Sequence, residues 1–319
     1  MDRVNIILCT YNGEEFLPVL LDSLLAQTYA HISIYIRDDQ STDSTAEIIQ
    51  NYIKKGTDDI QIHVVDDDLG NLGYTRNFMH TLRATDDAAF YAFCDQDDYW
   101  FPDKIERAVK MLKSQPQNQC LLYTSNYDVC DERLNVIGQS HPPTPIEKLD
   151  VGKSLSLYDG GWLLGLTLMM NRSLKQMAFD NDAQRIYSHD IWVQAVAVGF
   201  QGKLIIDDKV TAHFRRHQKT TSIAESKVNT SALAAWKYRL KEFLGNGTMF
   251  ESVRNGIVTY SAIFIDKVPK KQDVDFLRRF ADRGDGKNHR ISKLLYPHRL
   301  KRTLSVELAW RLSMLMGKI

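Results

Sequence analysis

Apolar positions in the first hundred residues follow two periods in turn. Residues 4–9, 32–37, 60–65 and 88–94 are short β-branched or aromatic runs bounded by turn residues, as expected of buried strands. Between them the spacing changes to three and four. Phe16, Leu17, Leu20, Leu21, Leu24 and Leu25 form one helical stripe, and Ile48, Ile49, Tyr52 and Ile53 another. Residues 74–84 read as a third helix, and Ile105, Val109 and Leu112 as a fourth that starts after Pro102. Asn12 is placed to cap the first of these helices. Strand and helix alternate four times, which predicts an α/β fold with parallel strands and right-handed crossovers.

Farther along, 120–125 reads as a strand, 129–138 as a polar edge hairpin and 141–145 as an exposed proline-rich loop. Residues 160–170 read as flexible, then strand-like. Ser188 opens a short helix to Val198, and 203–214 reads as a strand pair. Residues 232–244 are helical, with Trp236, Leu240 and Phe243 on one face. Residues 303–316 form an amphipathic helix with Leu304, Leu308, Leu312 and Leu315 on one side.

In a parallel sheet the strand ends at Thr10, Asp38 and Asp95 point the same way, so their side chains should line one crevice, where open α/β sheets bind ligands. The run that ends at Cys94 breaks into Asp95, Gln96, Asp97 and Asp98. Carboxylates this close raise one another's pKa unless a cation lies between them, and hard oxygen ligands suit Mg²⁺ or Mn²⁺. The bland alternative is a solvated acidic loop capping the next helix. Neither a G-x-x-x-x-G-K-[ST] run nor a G-x-G-x-x-G after the first strand is present, which argues against a P-loop kinase and a dinucleotide dehydrogenase. A diphosphate bound here would need a metal to neutralise it.

The chain has 319 residues, with 40 Lys+Arg against 40 Asp+Glu, which gives no case for nucleic-acid binding. Cys9, Cys94, Cys120 and Cys130 form no C-x-x-C pair and read as buried free thiols of a reducing cytosol. The N-terminus reads as a strand rather than a signal peptide, and no run approaches the length of a membrane span, so a cytoplasmic location is expected.

The motifs Thr10-Tyr11-Asn12, Asp38-Asp39 with Ser41 and Asp43, Asn71-x-Gly73, Arg76-Asn77, the D-x-D-D cluster with Trp100, Pro102 and Lys104, and Phe214-Arg215-Arg216-His217 stand in an order that resembles family 2 glycosyltransferases of the GT-A fold. Within that family the chain is similar to bacterial rhamnosyltransferases of cell-wall, capsule or O-antigen synthesis. The resemblance covers residues 1–220 and implies a Rossmann-like mixed sheet flanked by helices, with 221–319 as a helical extension. It implies that Thr10, Tyr11 and Asn12 lie along the nucleotide, that Asp39 meets the pyrimidine base, that Arg76 reaches the donor and that Asp95 faces the ribose. It implies Asp97 and His217 as metal ligands and Asp190 as the general base, with His189 as the alternative base. Trp100 and Trp162 are candidates to bound the sugar pocket. The implied activity is inverting, metal-dependent hexosyl transfer, most simply of L-rhamnose from dTDP-L-rhamnose, onto a saccharide or undecaprenyl-linked saccharide.

A UDP-hexose donor is one alternative. A nucleotidyltransferase that makes the sugar nucleotide is another, but it would need a glycine-rich, basic first turn that residues 9–13 lack. A non-catalytic sugar-binding protein would not need Asp39, Asp95, Asp97 and Asp190 together. Residues 287–302 hold six Lys/Arg and no acid beside the last apolar helix. Such a stretch suits an anionic membrane surface, and packing on the main domain or in a homodimer is the alternative.

Overall fold

The computed structural model describes residues 2–140, 163–180, 188–217, 263–266, 271–280, 287–300 and 304–317. The expected 141–145 loop, Trp162 and the 232–244 helix lie outside these residues. Strands β1 (Val4–Thr10), β2 (Ile32–Asp38), β3 (Ile60–Val64) and β4 (Phe90–Asp95) pair in parallel in the order β3-β2-β1-β4. Helices α1 (Leu17–Leu25), α2 (Thr45–Ile53) and α3 (Tyr74–Ala84) connect them, as the alternation predicts. Beyond β4 the sheet continues through β8 (Met169–Asn171), β6 (Leu121–Cys130), β9 (Lys203–Arg215) and β5 (Tyr99–Trp100), with β7 (Val136–Gln139) paired to β6. β8 runs antiparallel to both β4 and β6, so the sheet is mixed. The remaining α-helices among the described residues are α4 (Lys104–Lys113), α5 (Arg172–Asp180), α6 (His189–Gly199), α7 (Lys271–Phe280), α8 (Lys287–Leu294) and α9 (Leu304–Leu315).

β1 is buried along its whole length because both faces of the sheet are covered. Val4, Ile6 and Leu8 join the layer formed with Leu17, Leu20, Leu21 and Leu24 of α1. Ile7 and Cys9 join the opposite layer with Phe78, Leu82 and Trp192. Paired residues fix the strand ends: Thr10 lies beside Asp38 and Cys9 beside Asp95. The predicted crevice at the carboxyl edge is therefore formed. All four cysteines are buried and unpaired.

Three local expectations are corrected. Asn12 does not cap α1, which starts five residues later at Leu17 with no side-chain cap. Asn12 instead adopts φ 47° and its Oδ1 accepts the Thr42 amide at 2.8 Å. The 203–214 strand pair is one 13-residue strand, β9. The register against β6 shifts after Asp207, whose Oδ1 accepts the Lys209 amide at 3.1 Å. Arg107 at 2.8 and 2.9 Å and the Tyr123 hydroxyl at 3.0 Å hold the same carboxylate, so the strand continues through the irregularity. Trp100 is fully buried, with the Lys104 ammonium 4.9 Å from its ring, so it belongs to the core and not to a pocket wall.

Among the described residues no helix is long and apolar enough to cross a membrane. Phe264, Phe276, Phe280, Tyr296, Trp310 and Met314 belong to the same apolar layer as Trp192. Trp192 is fully buried and stacks on Phe264 with ring centroids 5.5 Å apart. Trp192→Ala should therefore destabilise the whole chain by about 3–5 kcal/mol, read from the midpoint of denaturant unfolding. An unchanged midpoint would mean that this layer does not join the C-terminal helices to the sheet.

Candidate active site

The loops after β1, β2 and β4 meet at the carboxyl edge of the sheet and enclose a cavity of about 610 Å³, within the range of small-molecule sites. The loop after β1 carries Thr10 to Gly13 and is tied to the loop after β2 by side chains. Thr10 Oγ1 donates to Asp38 Oδ1 at 2.7 Å, and the Ser41 hydroxyl donates to the same oxygen at 2.6 Å. The Asn12 amide donates to Ser41 Oγ at 2.8 Å, and the Gly13 amide to Thr45 Oγ1 at 2.8 Å. Short hydroxyl and carboxylate side chains thus replace a glycine-rich wrap in shaping this turn.

Asp39 lines the cavity from the buried end of β2. Its carboxylate accepts Arg37 Nη1 at 2.8 Å, the Leu72 amide at 2.7 Å and the Gly73 amide at 2.8 Å. Arg37 in turn makes two bonds to Asp67, at 2.9 and 2.8 Å, and those bonds hold the Asp67 carboxyl below its ordinary range. Gly73 has φ 74° at the start of α3, a conformation that favours glycine. Asp39 therefore folds the 71–73 turn over the cavity. A carboxylate has about four acceptor positions, so one remains for a ligand. Arg37 went unassigned in the sequence because it reads as an ordinary strand residue.

The acid cluster divides in two. Asp95 and Asp97 line the cavity, while Asp98 is fully buried and its Oδ1 accepts the Arg215 amide at 3.1 Å. Below it lies Lys104, whose burial lowers its pKa to about 8. Asp98 thus anchors the turn after β4 to β9. The short β5 pairs antiparallel with the end of β9, Tyr99 beside His213 and Trp100 beside Ala212, which carries His217 to the cavity. His217 Nε2 lies 2.8 Å from Asp97 Oδ2 across 120 residues of sequence, and its ring packs on Phe16 at 4.5 Å.

Asp95 is pushed up to about 8, by burial first and then by the charges of Asp97 and Asp190. This concentration of negative charge is what a cation would relieve. Among the described residues no three His, Cys, Asp or Glu are arranged to hold a metal. One carboxylate and one imidazole nevertheless fit a Mg²⁺ or Mn²⁺ ion whose other ligands are phosphate oxygens and water.

Asp190, in the first turn of α6, is nearly buried. Among the described residues its Oδ1 accepts the Ile191 amide at 2.7 Å and the Ser188 hydroxyl. His189 is fully buried and stacks on Phe78 at 4.0 Å, with Phe93 at 4.4 Å and Tyr74 at 5.1 Å. Neither ring nitrogen has a hydrogen-bond partner among the described residues. Neither residue 189 nor 190 lines the cavity directly. Arg76 is exposed on α3 and also lies outside the lining, where Asn77 and Tyr74 stand instead.

Gln96 carries a link that the spacing of acids concealed. Its Oε1 accepts the Tyr11 amide at 2.9 Å and its Nε2 donates to the Tyr11 carbonyl at 3.0 Å. A Cβ on Gly13 would lie 2.3 Å from the same Oε1, so residue 13 must be glycine for this contact to form.

Comparison with known proteins shows the family and the fold. The sequence model described as Glycosyl transferase family 2 matches residues 5–166, and the chain belongs to that family. Among curated relatives it is 26% identical over 224 residues to an uncharacterised glycosyltransferase of Rickettsia typhi, covering 69% of this chain and 65% of that one. It is 28% identical over 221 residues to the dTDP-rhamnosyl transferase RfbG of Shigella flexneri, covering 66% of this chain and 72% of that one. The chain spans 38–65% of the length of the first Rickettsia relatives it matches.

Among solved structures, residues 1–349 of TarS from S. aureus match with TM-score 0.56 at 14% identity, covering 99% of this chain and 81% of that one. The mannosyltransferase PcManGT of Pyrobaculum calidifontis, in complex with GDP-Man and Mn²⁺, matches with TM-score 0.50 at 16% identity, covering 100% and 88%. The fold is the GT-A fold of these neighbours.

Gln96→Glu should weaken nucleoside diphosphate binding roughly tenfold, because it sets a carboxylate against the Tyr11 carbonyl in place of an amide donor. Gly13→Ala should do the same by displacing Gln96. Calorimetric titration measures both, and unchanged affinities would deny Gln96 this role.

Burial lowers His189 to about 4, against the pull of Asp190. The unfolded chain, with an ordinary imidazole near 6.5, binds the extra proton in between. Stability is therefore undiminished above pH 6.5 and falls as pH drops toward 4, by about 3 kcal/mol in all. His189→Phe, which keeps a ring, should remove that part of the slope in urea titrations at stepped pH. An unaltered slope would place the titrating group elsewhere.

Proposed function

We propose that residues 1–220 form an inverting, metal-dependent glycosyltransferase that moves L-rhamnose from dTDP-L-rhamnose onto a saccharide or undecaprenyl-linked saccharide of the cell surface. The observation that carries this reading is the contact between Asp97 and His217 at the cavity edge, beside the turn that holds Thr10, Tyr11 and Asn12. The similarity to RfbG favours the rhamnosyl donor over a UDP-hexose. Family membership sets the nucleotidyltransferase aside.

In this reading the nucleotide lies along Thr10, Tyr11 and Asn12. The fourth acceptor position of Asp39 meets the pyrimidine N–H, and Asp95 faces the ribose. Asp97 and His217 hold a Mn²⁺ or Mg²⁺ ion, which when bound offsets the negative charge that develops on the departing diphosphate. Asp190 takes the proton of the acceptor hydroxyl as it attacks the anomeric carbon from the face opposite the leaving group. Its Oδ2, which makes no hydrogen bond among the described residues, is the oxygen available for that proton. His189, enclosed by aromatic rings, supports α6 beneath the base instead of replacing it. Residues 221–319 are the helical extension, joined to the catalytic part through the layer around Trp192.

Asp97→Asn and His217→Ala should each remove metal-dependent binding of dTDP in calorimetric titrations. Asp190→Asn should leave that binding intact and reduce turnover of dTDP-rhamnose by several orders of magnitude. Normal turnover by the Asp190 variant would move the base to another residue. Metal-independent titrations that do not change with Asp97 or His217 would end the metal assignment.

A further inference from the structure

The last helix is apolar on two sides. Trp310 and Met314 are buried on the inner side, as are Ser313 and Glu307. Leu304, Leu308, Leu312 and Leu315 fall on the other side at spacings of four, four and three, and all four are exposed, from 41% to 65%. The sequence left open whether this stripe packs on the main domain, and the described structure packs the opposite side there. Ile291 of α8 and Leu295, just past its end, are exposed as well.

Charge is segregated in the same place. Residues 287–319 carry eight Lys/Arg and one acid, a net +7 that the rest of this neutral chain balances, although one of the eight, Lys293, is buried against Phe280. The one acid, Glu307, is turned inward, where it accepts Arg311 Nε at 2.7 Å and the Leu300 amide at 2.9 Å. Arg299 is exposed just before the stripe, and Arg290 lies against Gly317 at its far end.

We propose that the outer face of α9, with the basic residues that precede it, docks on an anionic lipid bilayer. Leucines at the boundary of headgroups and acyl chains, flanked by cations and lacking exposed acids, match such a surface in both polarity and sign. A second copy meeting the same face would oppose two patches of like charge, which disfavours a dimer through this helix. The inference is independent of the catalytic assignment, since adsorption is read without turnover.

The test is cosedimentation of the full chain with vesicles of phosphatidylcholine and phosphatidylglycerol in equal parts, and with phosphatidylcholine alone. The protein should pellet with the first and not the second, and high salt should release it. Leu308→Gln with Leu312→Gln should weaken partitioning roughly tenfold with no change in Tm. Equal binding to neutral vesicles, or binding to neither, would overturn the proposal. So would a fall in Tm, which would mean that the stripe packs within the chain. A wild-type dimer that the double variant converts to monomer in sedimentation velocity would assign the face to self-association.

Discussion

The site depends on a two-residue strand. β5 pairs with the end of β9, and this pairing helps bring a histidine from the far end of the sheet to an aspartate just past β4. Parallel crossovers can gather the first three loops unaided, because each strand ends at the same edge. They cannot supply a cation-binding partner from the other half of the chain. The Asp98 carboxylate fixes the geometry by accepting the Arg215 amide, and Phe16 closes it from the first loop, with the Arg215 guanidinium 4.6 Å from its ring. The result is a half-buried group of acids at the cavity edge, Asp95 beside Asp97, a distribution of charge suited to a ligand that brings its own cation.

Hydroxyls and carboxylates do at this edge what glycines do in other nucleotide sites. Asp38 gathers the hydroxyls of Thr10 and Ser41, and Asp39 gathers two amides and a guanidinium. Adjacent acids that look equivalent in sequence therefore have separate tasks. One braces the turn after β1, and the other folds the turn before α3.

The first four strands and their helices were legible because both periods are strong there and turn residues mark every boundary. The convergence of Thr10, Asp38 and Asp95 followed from parallel topology alone. What could not be read depends on contacts made at long range. The 203–214 run reads as two strands until Arg107 and Tyr123 are seen to hold Asp207 at an irregularity within one. Trp100 looks like a sugar platform until the burial of Lys104 beneath it is known. Asn12 has the right type for a helix cap, yet a bond to Thr42 competes for its side chain. His189 offered a plausible base on type alone, and only packing reveals the rings around it. Arg37 and Gln96 carry no pattern, since Arg37 joins Asp39 to Asp67 thirty residues on and Gln96 acts on the backbone of Tyr11.

The amide of Gln96 reproduces, with a side chain, the paired bonds of one rung of a β-ladder. It does so between the segment that carries Asp97 and the segment that runs from Thr10 to Gly13. The two segments consequently share one rigid joint. If an ion at one stiffens it, a nucleotide at the other has less disorder left to lose, and thermodynamic reciprocity requires the converse by an equal factor. Cooperativity between the two ligands would then come from the joint itself, with no movement of the sheet.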